Sequence, residues 1–202
     1  AVSPEVICRL MTDRKPLPGK LAFSRDLFVL LFLLRGMPFV DLAFLRRCDL
    51  QGNVITYHRR KTSRKLTVVV GKEAMEIIQK YMYAIPDSPY LFPIIQNPGK
   101  DEYGQYARML RLQNYRLTQV ANILGIRDRL STYTARHTWA TTALRQNYNS
   151  SLICDAMGHS SVKVTETYFQ PYRDDEVNRM NSSLITYILS KKKRGTDKKI
   201  RS

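Results

Sequence analysis

The stretch "LFVLLFLL", residues 27–34, constrains this chain more than any other. A bilayer span takes roughly twenty apolar residues in a row, and this run falls far short of that. No signal-peptide pattern precedes it. It therefore reads as the heart of an apolar helix, running from about residue 21 to the Arg35, Gly36 pair, in a soluble, cytoplasmic protein. With 202 residues the chain can bury one substantial core as a single domain. Its three cysteines, Cys8, Cys48 and Cys154, are odd in number and widely spaced, which fits reduced thiols.

Around that helix the signals predict a mainly α domain with a small antiparallel β-sheet, an α+β fold. Ser3 and Pro4 open a first helix at "SPEVICRLMTD", and Pro38 opens another over "PFVDLAFLRR". The β-branched runs "NVITYHRR" and "KLTVVVG" flank the turn "KTSR" and read as a hairpin. A helix follows over "KEAMEIIQKYMY", and the proline-rich "IPDSPYLFPIIQNPGK" reads as loop. The remainder reads as helical: "DEYGQYARMLRLQNYRLTQVANILG", "TYTARHTWATTALRQN", "SSLICDAMG", "KVTETYF" and "DDEVNRMNSSLITYILS". The basic run at residues 191–202 reads as a solvated, disordered tail.

Charge narrows the partner. Lys and Arg number 33 against 17 Asp and Glu, a formal charge of +16. An excess of that size points to a polyanion such as nucleic acid, the alternative being a solubilising surface. The three histidines, His58, His137 and His159, form no ligand spacing with Cys or carboxylates, so no metal and no cofactor is expected.

The second half carries the chemistry. Arg136 and His137 stand in "TARHTWAT" beside Trp139, the single tryptophan, and "MGHSSVKVTETY" places His159 nine residues before Tyr168. Arg-His-Thr-x-Ala-Thr, then Gly-His-Ser-Ser, then Thr-x-x-Tyr resembles the signature of the tyrosine recombinases, the phage-type integrase family. The resemblance reaches back through "RRKTSRKLTVVV" and "LLRGMPFVDLAFL" and so covers essentially the whole chain.

The resemblance implies a recombinase catalytic-domain fold and a site-specific recombinase or integrase that cuts and rejoins double-stranded DNA for a mobile element. Tyr168 falls where the family's nucleophile falls, giving a 3′-phosphotyrosyl bond and a free 5′-hydroxyl. Arg136 matches the second catalytic arginine: a guanidinium is always charged and forked to fit phosphate, so it is expected to be unpaired within the protein and to meet a phosphate. His159 is expected to hydrogen-bond the phosphate or the attacking oxygen. Lys61, in the hairpin, matches the lysine that protonates the leaving 5′-oxygen. Its basic neighbours Arg59, Arg60, Arg64 and Lys65, together with Arg25, are expected to hold the DNA backbone. His137 is assigned to structure, since adjacent helix positions point about 100° apart, and Trp139 to the core.

Two places depart from the family pattern. Tyr133 stands where His-x-x-Arg has its histidine, and Pro38 stands where Gly-x-Arg-x-x-Glu has its first arginine, with Asp41 in the acidic position. Both resemble variants found in integrases of conjugative transposons. Arg35, at the helix end just before the turn, is expected to replace the missing arginine, with Arg25 as the competitor. A recombinase relative that binds DNA without cutting it is the alternative function. The resemblance further implies a catalytic domain over residues 1–190 without the helical core-binding domain that precedes it in full integrases. It also implies a homo-oligomer, a tetramer on DNA joined through the terminal helix, where Val177, Met180, Leu184 and Ile188 share a face, and accessory DNA-bending proteins.

Overall fold

A computed structural model describes residues 1–161, 178–179 and 181–186. The chain divides into two compact units, Ala1–Tyr168 and Phe169–Ser202. Within the second, residues 178–179 and 181–186 are helical, with Leu184 and Ile185 exposed.

In the first unit the apolar helix is central. Helix α2 spans Gly19–Leu33, and residues 27–31 are consecutively buried, so the helix is covered all round. Helix α1 (Pro4–Thr12), helix α4 (Lys72–Tyr81), helix α5 (Glu102–Leu124) and helix α6 (Thr132–Arg145) all pack against it. Leu27, Phe28, Leu30 and Leu31 show no exposed surface. Each such side chain is worth about 1.5–3 kcal/mol of burial. Helix α7 (Ser150–Met157) packs on α6 through a smaller cluster of Ala140, Ile153 and Met157, with Trp139 half-buried against it.

The hairpin is present as β2 (Val54–His58) against β3 (Lys65–Val69), in register from Val54↔Val69 to His58↔Lys65. A short strand β1 (Leu50–Gln51) completes a three-stranded antiparallel sheet of order β1-β2-β3. The helix read over "PFVDLAFLRR" is shorter than expected: α3 covers Phe39–Ala43, and a 3-10 turn follows at Arg47–Asp49. The cause lies across the chain. Leu91 N donates to the Leu45 carbonyl (2.8 Å) and Arg47 N to that of Pro89 (2.9 Å), which draws residues 45–47 out of the helix into a bridge. The proline-rich segment is irregular, as read, yet Tyr90, Leu91, Phe92, Ile94 and Ile95 are buried.

Among the described residues no helix is long and apolar enough to cross a membrane.

Candidate active site

The site is assembled from three helix ends and one hairpin turn. A helix leaves its last carbonyls without intrahelical partners, and the dipole makes that end attractive to cations. At the end of α7 those carbonyls are taken by arginines. Arg136 Nη2 and Arg59 Nη1 each donate to the Met157 carbonyl at 3.1 Å, and Arg59 Nη1 also donates to that of Gly158 (2.7 Å), which the Thr62 hydroxyl reaches at 3.3 Å. Arg136 Nη1 donates to the carbonyl of Gly36, in the turn after α2. Arg136 is thus not unpaired within the protein, contrary to expectation. A guanidinium only 5% exposed must have its donors met, and backbone carbonyls meet them without a carboxylate's charge.

Gly158 ends α7 in the left-handed region (φ +64°), and His159 N closes the turn on the Cys154 carbonyl at 3.0 Å. That turn sets the imidazole beside Arg136, whose Nη2 lies 2.7 Å from His159 Nε2. An arginine donates and cannot accept, so Nε2 is the acceptor and the ring is neutral with its proton on Nδ1. Burial, reinforced by the charges of Arg136, Arg59 and Lys61, pushes the His159 pKa down to about 4. Glycine is needed at both turns. A Cβ on Gly158 would sit 2.8 Å from Leu66 Cδ1, and one on Gly36 (φ +65°) 3.1 Å from Arg136 Cα.

The hairpin turn, residues 59–64, lies over this pair. Arg59 is 6% exposed, and its Nε lies 3.7 Å from Asp41 Oδ2 on α3. Burial pushes the Asp41 carboxyl up, against the Arg60 backbone N–H (3.0 Å) and the charges of Arg59 and Arg136. Lys61 is exposed within the turn, close enough for its charge to act on His159. Arg64 donates to the His159 carbonyl (3.3 Å) and pairs with Asp155 at 3.0 Å. Arg60 lies over the Phe44 ring at 3.8 Å, and Lys65 is exposed at the head of β3.

The structure therefore brings Arg136, His159, Lys61, Arg59 and Arg64 together. It does not gather the others there. Arg35 donates to the Thr67 carbonyl on β3 (3.2 Å) and lines a cavity of about 510 Å³ with Phe32, Trp139, Tyr148 and Leu152. Arg25 is held by Asp26 (3.0 Å) and the Asp13 carbonyl (3.3 Å), beside Lys80 and Tyr81. Tyr133 is 60% exposed, its ring 6.3 Å from that of His137. His137 is half-buried, with its pKa lowered first by burial. Tyr168 lies outside the described residues, as do Val177, Met180, Ile188 and the basic tail. Sequence reasoning gave Arg59 to the DNA backbone. Its burial left a trace in Tyr57, which alternation along β2 turns inward, but nothing in a crowd of five Lys and Arg residues singled it out.

Known proteins share this arrangement of elements. The model of the phage integrase family matches residues 2–174. A tyrosine recombinase XerC of Thermodesulfovibrio yellowstonii is 26% identical over 167 residues, covering 76% of this chain and 52% of that protein. Among solved structures, XerA recombinase superposes with a TM-score of 0.64 at 20% identity, over 90% of this chain and 62% of its own. The Tn1549 transposon integrase, in complex with transposon right end DNA, gives 0.68 at 14%, over 91% and 65%. The chain thus spans about half the length of the curated relative and under two thirds of these structures. The fold is that of tyrosine recombinase catalytic domains. A family match over nearly the whole first unit, on a chain whose Arg136 and His159 meet beneath a basic hairpin, places this protein in the phage integrase family.

Proposed function

We propose that the chain is the catalytic part of a site-specific DNA recombinase that cuts and rejoins double-stranded DNA through a tyrosine, in the service of a mobile element. The carrying observation is the Arg136–His159 pair, 2.7 Å apart and enclosed, with Lys61 overhead. Such an enclosure makes a phosphate contact stronger than it is in water. A pentacovalent phosphorus carries extra negative charge on its non-bridging oxygens, and the guanidinium of Arg136 matches it. His159, neutral at pH 7, offers its Nδ1 proton to the phosphate or to the attacking oxygen. Tyr168 attacks phosphorus, its hydroxyl proton passing to solvent, and the bond to the 5′-oxygen breaks. Lys61 protonates that oxygen, leaving a free 5′-hydroxyl and a 3′-phosphotyrosyl bond. Tyr133 serves as a hydrogen-bond donor to phosphate and not as a proton carrier. Arg60, Arg64 and Lys65 hold the DNA backbone, in line with a chain of charge +16.

The relatives' structures on DNA support the choice of partner. The reading extends to a homo-oligomer on DNA in which the terminal helix of one protomer packs on the next, and to cooperation with DNA-bending proteins.

Pro38, in the place of an arginine, favours a second reading, a relative that binds DNA without chemistry. A duplex nicked so that the cleaved fragment diffuses away separates the two. The first reading predicts a covalent protein–DNA adduct that Tyr168→Phe abolishes while DNA binding persists. Binding without any adduct supports the second.

A further inference from the structure

One guanidinium cannot clamp two non-bridging oxygens well, and the residue that takes the place of the first arginine in this family's pattern is Pro38. The described structure has a buried arginine near that gap, and it comes from the hairpin. Arg59 and Arg136 both donate to the Met157 carbonyl at 3.1 Å, so their nearest nitrogens cannot be further apart than twice that distance. Both side chains are enclosed to the same degree, 6% and 5% exposed, as is His159 at 4%.

Bringing two like charges into one buried site is costly unless something there repays it. Asp41 repays part. It sits on α3, three residues after Pro38, with Oδ2 3.7 Å from Arg59 Nε, and neither atom has a hydrogen-bond partner. The carboxylate therefore holds Arg59 by charge without occupying that N–H. The guanidiniums of Arg59, Arg136 and Arg60 act on that one carboxyl, and Lys61 adds its charge at His159 from the exposed turn, which leaves an excess of positive charge. That excess suits an anion with several oxygens.

Arg35 has the geometry of a different role. Its guanidinium donates to Thr67 on β3 and faces the apolar cavity beside Trp139.

We infer that Arg59, held between Asp41 and the end of α7, supplies the second guanidinium to the scissile phosphate. This rests on the proposed DNA cleavage, and it assigns to the hairpin a task that the turn after α2 no longer performs. Arg136 and Arg59 then approach the phosphate from α6 and from the end of β2, with His159 hydrogen-bonded to Arg136 and within reach of the charge of Arg59.

Single-turnover cleavage of a nicked duplex is compared with cleavage of the same duplex bearing a methylphosphonate at the scissile position. The methyl group replaces one charged oxygen, so a guanidinium that neutralises that oxygen becomes dispensable. Arg59→Ala is expected to cleave the phosphodiester slower by about 10² or more, the cost of losing one transition-state contact. It is expected to recover to within about tenfold of wild type on one methylphosphonate diastereomer. A thermal melt accompanies each variant, and should Arg59→Ala melt far below wild type, the comparison is read on Arg59→Lys. That variant keeps the charge but loses the fork, so a smaller loss with the same rescue is expected.

Equal impairment on both substrates overturns the inference and makes Arg59 a cap of α7. Normal cleavage of the phosphodiester also overturns it, and rescue seen in Arg35→Ala in place of Arg59→Ala transfers the role to Arg35. Wild type forming no adduct on either substrate overturns the cleavage reading itself, and this inference with it.

Discussion

His159 is buried and held neutral, while Lys61 stands exposed in the hairpin turn, near enough for its charge to act on the imidazole. The helix-end turn at Gly158 fixes the imidazole against Arg136, and the added positive charge of the hairpin makes a second proton there unfavourable. A group with its pKa near 4 stays neutral around pH 7, so the proposed mechanism gives proton delivery to the leaving oxygen to Lys61. Lys61→Ala should slow cleavage by roughly 10² to 10⁴, the usual worth of a positioned acid. A duplex with sulfur in place of the bridging 5′-oxygen supplies the check, because a thiolate leaves without protonation. The variant should approach wild type on that duplex. Continued impairment there makes Lys61 a phosphate contact only.

The same scale shows where sequence alone stops. Arg136, His159 and Lys61 are named by the family resemblance of their motifs, and the structure brings the three together. The burial of Arg59 was not legible, because its partners are backbone carbonyls of residues 157 and 158, about a hundred positions away. Nor was the pairing of Arg136 with Gly36 and Met157, since any residue can offer a carbonyl.

At the scale of elements, periodicity placed most of the helices and the hairpin, because amphipathic and alternating patterns are local. It placed α2 within two residues of its start, the apolar run leaving no alternative. It overextended α3, where the competing bridge to Tyr90 is nonlocal, and missed β1, a strand of two residues that pairs with β2 and is too short to show a pattern.

One link between elements was also hidden. Asp26, buried on α2, accepts from Lys80 Nζ and Tyr81 Oη on α4, both at 2.7 Å, and from Arg25. Burial works to raise its pKa, but the hydrogen bonds from Lys80, Tyr81 and Arg25 outweigh it and hold the carboxyl below its usual range. The folded-state pKa is depressed, so this stabilisation is fully present above the unfolded value near 3.9 and is lost as pH falls through the folded one. Asp26→Asn should therefore cost about 1.5–3 kcal/mol at pH 7, the worth of hydrogen bonds to a charged group. Urea melts at pH 7 and pH 3 check it: the gap between variant and wild type should narrow at the lower pH. A gap that is constant across that range would mean the charge plays no part.

For the molecule as a whole, the question is what an isolated copy leaves unfinished. Leu184 and Ile185 are exposed on the helix of the second unit, and Leu152 and Tyr148 are exposed beside the apolar cavity of the first, which Trp139 also lines. In the proposed assembly these apolar surfaces are covered by neighbouring protomers on DNA. Deleting residues 176–190 should then weaken cooperative occupation of paired sites, measured by gel shift, by more than it weakens binding to a single site. Unchanged cooperativity would place the helix outside the assembly.

The central claim is that this enclosed cluster serves a tyrosine that becomes joined to DNA. The most direct measurement is to digest the protein after reaction with a nicked duplex and to locate the modified residue by mass spectrometry. The account predicts a nucleotide 3′-phosphate on Tyr168, with a free 5′-hydroxyl on the released strand. A modified residue elsewhere among the twelve tyrosines, or DNA bound by the protein with no residue modified, would contradict it.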